Sequence, residues 1–150
     1  MDKLSLRCPD GCGLTDKDMR PEIIDKCIQL EKVIPMTITS GMRCPKHNKA
    51  VGGAENSYHL HGMAIDFVPS LGVESCYNKL VALCRKLQIK GVRIYEKHIH
   101  IDARREPHFW RHPQWREHER RRTKGEIVPV RSGCDTSPGQ SVPRPEPQTS

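Results

Sequence analysis

Residues 98–102 read HIHID, and the reading of this pentapeptide decides the fold. Taken as a β-strand, it alternates faces: His98, His100 and Asp102 point one way, Ile99 and Ile101 the other. The isoleucines then supply a core face, while the histidines look out over a cleft. If the strand runs regularly through residue 96, Glu96 joins the histidine face and Lys97 faces away. Such alternation is common on sheet surfaces, so by itself it points to no chemistry.

A second cluster changes the reading. Residues 57–67, SYHLHGMAIDF, hold two histidines and an aspartate around Gly62. His59 and Asp66 are far enough apart along the chain to span roughly 23 Å if extended. They can meet at one ion only if the segment folds back, and Gly62 is placed to take the backbone angles this needs. Asp66 stands in the middle of the apolar run AIDFV, where a carboxylate is costly unless paired or bound to a cation. His59, Asp66 and His100 together offer three ligands and leave a fourth tetrahedral position open, the pattern of a catalytic rather than a structural zinc.

Around these clusters the periodicity alternates between helix and strand. Ile23, Ile24, Cys27, Ile28, Leu30, Val33 and Ile34 recur at helical spacing behind Thr15, Asp16, Asp18 and Pro21, and Pro35 ends that helix. MTIT (36–39) and AIDFV (64–68) read as strands and residues 73–89 as a second amphipathic helix. Residues 91–104 read as one or two strands bent near Glu96 and Lys97. The order predicts an α+β domain, a small antiparallel sheet flanked by helices, over residues 1–112. A basic extension follows at 113–124, then a Pro/Ser-rich tail at 125–150 that is expected to be disordered.

Composition agrees with that division. Only 35% of the chain is hydrophobic, so part of it adds no core. The formal charge of +7 sits largely in residues 104–124, where eight basic and three acidic residues give a net +5. No base-reading motif accompanies that charge, so nucleic acid is not an indicated partner. There is no apolar run of the roughly 20 residues needed to cross a bilayer, and the N-terminus lacks the pattern of a secretory signal. Residence in the cytoplasm until release, and a monomer, are therefore expected. The seven cysteines are read as reduced thiols, with Cys27 and Cys84 in the core. CPDGCG, holding Cys8 and Cys12, suits a tight glycine-containing turn. A structural zinc there would need four ligands, and no second cysteine pair follows at finger-like spacing.

The run SGMRCPKHNKAVGGAENSYHLHGMAIDF followed by HIHID resembles the zinc D-alanyl-D-alanine carboxypeptidases, especially the small cell-wall and phage-lysin type. These enzymes share their fold with the hedgehog signalling domain. The resemblance runs from about Leu4 to Arg104. It implies a zinc cofactor on His59, Asp66 and His100, and a peptidoglycan stem peptide as substrate. It also implies that Arg43 meets a substrate carboxylate and that Ser57 lines the same pocket. Family members set a carboxylate shortly before the last histidine ligand, commonly where this chain has Lys97. Strand alternation favours the neighbouring Glu96 as general base. His98 matches the first histidine of the family's His-x-His and takes a supporting role in proton transfer or oxyanion stabilisation. The alternative expectation is a zinc-pinned wall-binding module without catalysis, as in hedgehog-type domains.

Overall fold

The computed structural model of the chain describes residues 1–123; the tail expected from residue 125 onward lies outside the described residues. Five strands form one sheet: β1 (Met36–Ser40), β2 (Ala64–Pro69), β3 (Gly91–Ile94), β4 (Ile99–Asp102) and β5 (His108–Arg111). Their order across the sheet is β1-β2-β4-β3-β5. β2 pairs antiparallel with β1 and with β4, and β4 pairs antiparallel with β3. The α+β class follows the expectation, but the sheet is mixed, because β5 runs parallel to β3. A strand that reverses after β4 and lands on the far side of β3 must run in the same direction as β3.

Register sorts the residues onto two faces. Ile65 lies opposite Ile101 and Phe67 opposite Ile99, while Asp66 faces His100 and Ala64 faces Asp102. On the other flank of β4, Val92 and Ile94 continue the apolar face, and Gly91 and Arg93 continue the polar one. All six apolar residues are buried. Burying side chains of this kind stabilises by roughly 1.5–3 kcal/mol each. Slipping β4 by one residue would drive His100 and Asp102 into that core, so the pairing is strongly specified.

Two helices cover the apolar face. α1 (Pro21–Glu31) buries Ile23, Ile24, Cys27 and Leu30. The acceptors read ahead of it belong to a separate short 3-10 turn, Asp16–Asp18, where Thr15 and Asp18 cap each other reciprocally, and α1 itself starts at Pro21. α3 (Val73–Lys86) buries Val73, Cys76, Tyr77, Leu80, Val81 and Cys84. Burial pushes the Cys27 and Cys84 thiols up to about 12, which makes both inert core residues. The loop after β1 holds a short helix, α2 (Pro45–Ala50).

Beyond Arg105 the chain keeps regular structure that its composition concealed. β5 is short and largely exposed, and α4 (Pro113–Thr123) has Trp115 as its buried residue. One aromatic residue among charged ones gives no readable periodicity, yet it is enough to dock the helix. Trp115 stacks on Tyr77 with ring centroids 5.3 Å apart and donates its indole N–H to the Tyr95 carbonyl at 2.9 Å. Tyr77 donates its hydroxyl to Glu119, and Arg111 pairs with Glu119 at 3.0 Å. His118 lies edge-on to Tyr77. Among the described residues no helix is long and apolar enough to cross a membrane.

The docking of α4 sets an expected outcome. Trp115→Ala should cost about 3 kcal/mol and lower Tm by roughly 10 °C in thermal melts, since it empties the contact against Tyr77.

Candidate metal centre

Each residue of the predicted His, Asp, His set comes from a different element. Asp66 projects from β2 and His100 from its direct cross-strand partner on β4. His59 sits on a 3-10 turn, Tyr58–His61, which ends at Gly62. Gly62 takes φ of +63°, and a side chain there would meet the Asp18 carbonyl at 2.5 Å. This is the fold-back that the spacing of His59 and Asp66 required. One ligand atom from each of the three residues lies within 4.8 Å of the others.

The outer hydrogen bonds fix which nitrogen faces inward. His59 Nδ1 is 2.8 Å from the Gly41 carbonyl, which can only accept, so the proton resides on Nδ1. The lone pair of Nε2 is then aimed at Asp66 Oδ2, 3.1 Å away. Nε2 is buried and makes no hydrogen bond. His100 is held in the mirror sense. Its Nε2 is 2.9 Å from Asp102 Oδ2, and its Nδ1 is 2.8 Å from Asp66 Oδ1. The His59 Nε2 lone pair and the Asp66 carboxylate repel each other unless a proton or a cation sits between them. An orphaned nitrogen in this surrounding has the chemistry of a divalent-metal ligand. The residues present therefore fit a zinc ion.

The charges show the same demand. Burial would raise the Asp66 pKa, but the His100 and His59 imidazoles outweigh it and hold the carboxyl well below the usual range. Burial disfavours the imidazolium of His100, yet Asp102 and Asp66 together raise its pKa above the ordinary value. Asp102 is fully buried. Arg104 grips it with two bonds, Nε to Oδ1 at 2.8 Å and Nη2 to Oδ2 at 2.7 Å. Opposing burial, that grip and the His100 contact hold Asp102 ionised. Asp102 thus serves a histidine and an arginine at once. Gly91, its cross-strand neighbour, makes room: a Cβ at that position would collide with the carboxylate.

Arg43 reaches the centre from the loop before α2. Its Nη2 donates to Asp66 Oδ2 at 3.0 Å and its Nε to Ser40 Oγ at 2.9 Å. Asn48, which the sequence did not single out, accepts from Arg43 Nη1 at 3.4 Å and donates to the Ala54 carbonyl. Ser40, Arg43, His47, Asp66, Lys97 and His98 line an open cleft over the centre. His98 stacks on Tyr95, with centroids 4.2 Å apart and planes at 8°. Burial, reinforced by His100 and Arg43 against the opposing pull of Asp66, lowers its pKa, so it is a neutral base at pH 7.

Two predicted residues stand elsewhere. Ser57 caps the turn carrying His59, accepting the His59 N–H at 3.3 Å. Glu96 falls in the β3–β4 hairpin turn, closed by the Tyr95 N–H to His98 carbonyl bond at 2.9 Å. The turn interrupts strand alternation, which places Lys97 in the cleft and Glu96 outside the cluster. The Glu96 carboxylate is exposed and lies 3.1 Å from His112 Nε2.

Among known families, residues 6–102 match the model of the family described as peptidase M15. No curated protein matches the chain. The matched segment covers well over half of the chain and includes Arg43, His59, Asp66, His100 and Asp102. The chain belongs to the peptidase M15 family, a family of zinc metallopeptidases related to the D-Ala-D-Ala carboxypeptidases.

Proposed function

We propose that this chain is a zinc peptidase that hydrolyses peptide bonds in peptidoglycan stem peptides, in wall remodelling or phage lysis. The observation that carries the proposal is the pair of locked imidazoles whose inner nitrogens converge on Asp66 beneath a cationic cleft. His59 Nε2, Asp66 and His100 Nδ1 would hold the zinc. When bound, the ion supplies Lewis acidity, which polarises a carbonyl and makes water a nucleophile near neutral pH.

The remaining tasks fall to side chains of the cleft. Arg43 offers a planar fork of donors, the shape suited to a peptide carboxylate, and Lys97 adds charge at the same rim. Ser57 acts by setting the turn that aims His59. The proton acceptor in this reading is His98, because its imidazole is neutral and lines the cleft with Asp66. Glu96, engaged with His112, has no part in the proton transfer.

Zinc content by elemental analysis and digestion of muropeptides followed by mass spectrometry test the reading together. His59→Ala and Asp66→Asn should each lose the one equivalent of zinc held at this centre and hydrolysis with it; full hydrolysis by a variant lacking that equivalent would refute it. Zinc binding by the wild type without cleavage of any wall peptide would select the binding-module alternative. Asp102→Asn should leave the ligands in place but weaken zinc about 10–100-fold. His98→Gln should lower kcat by about 10²–10⁴ with zinc retained, while Glu96→Gln stays near wild type; the reverse order would return the base role to Glu96.

A further inference from the structure

The turn at Cys8 and Cys12 acquires two partners that the sequence spacing hid. Cys44 arrives from the loop before α2, and Asp10 turns inward from between the two cysteines. One ligand atom each of Cys8, Asp10, Cys12 and Cys44 lies within 4.8 Å of the others. Cys44 Sγ is 3.1 Å from Asp10 Oδ2, and Cys8 Sγ is 3.6 Å from Asp10 Oδ1. Tetrahedral zinc with thiolate and carboxylate ligands sets its donors about 3.5–3.8 Å apart, from bonds of roughly 2.3 Å to sulfur and 2.0–2.2 Å to oxygen.

From these observations we infer that Cys8, Cys12, Cys44 and Asp10 form a second metal site, a closed structural one for zinc or a similar divalent transition ion. Two backbone amides are aimed at the sulfurs: Cys44 N–H at Cys8 Sγ and His47 N–H at Cys44 Sγ, both at 3.4 Å. A neutral thiol is a weak acceptor, whereas a thiolate bound to a cation draws such donors. Four protein donors leave no open position, so the site holds structure and performs no hydrolysis.

The surroundings show what such an ion would accomplish. Between Arg7 and Gly13, Cys8 is the sole buried residue, so this loop has no hydrophobic anchor of its own. Just before it, Leu6 is buried and its carbonyl accepts the Met42 N–H at 2.8 Å. An ion gripping Cys44 would fasten the loop to the segment that carries Arg43, one residue earlier. Three cysteines cannot all be satisfied by one disulfide, and all three are free thiols in the structure. A metal uses every one of them and the aspartate as well.

The site contains sulfur and the histidine centre does not, so cobalt separates the two. Full-length protein prepared under reducing conditions and loaded with Co²⁺ should show a thiolate-to-cobalt charge-transfer band in the near ultraviolet. The band should persist in His59→Ala/Asp66→Asn, and that variant should retain one equivalent of zinc. It should vanish in Cys12→Ser, where an exposed side chain changes and circular dichroism checks the fold, and in Cys44→Ser. Absence of the band from the wild type, or its survival in both cysteine variants, would overturn the inference. Loss of zinc from the histidine variant with no thiolate band would do so as well. Failure of the peptidase reading alone would leave the band in place.

Discussion

The pairing of β2 with β4 is the constraint from which the rest of the molecule follows. It sets Asp66 directly across from His100 and, in the same register, turns four apolar residues, Ile65, Phe67, Ile99 and Ile101, toward α1 and α3. Fold stability and site assembly are thus one fact about one strand pair. The hydrophobic face specifies the register, and the register delivers an aspartate and a histidine to the same spot on the opposite face. Asp66 is tolerable there because histidine and arginine groups surround it. The centre is a place where burial creates an electrostatic demand that a cation can answer.

Around that pair the protein spends further buried polar groups on orientation. Asp102, with Arg104 on one side and His100 on the other, has no exposure to solvent. Gly91 has no side chain so that this carboxylate can fit. The Gly41 carbonyl does for His59 what Asp102 does for His100. Each imidazole is held through its outer nitrogen, which turns the inner nitrogen toward Asp66.

Much of this was legible in the sequence because it follows from local periodicity. The alternation of Ile99 and Ile101 with His100 and Asp102 is strand geometry, and the strain on Asp66 within AIDFV is elementary solvation. Gly62 could be read as a reversal because two intended ligands stood too far apart without one. Legibility failed where a turn replaced a strand. Four residues, Tyr95 to His98, close a hairpin, and extrapolating the two-residue period across them put Glu96 on the wrong side and hid Lys97. It also failed where contacts bridge long intervals. Nothing near Cys8 announces Cys44, and nothing near Tyr77 announces Trp115. The parallel placement of β5 was unreadable for the same reason, being decided by its landing place on β3.

The hold of Trp115 on the Tyr95 carbonyl has a consequence for how the molecule must be divided. Tyr95 also forms the platform on which His98 lies, so the rim of the cleft and the last described helix share one residue. The segment that defines the family ends at residue 102, but the mechanical unit continues to the helix that steadies this rim. A fragment trimmed to the family boundary would keep every proposed metal ligand and lose the brace behind one wall of the cleft.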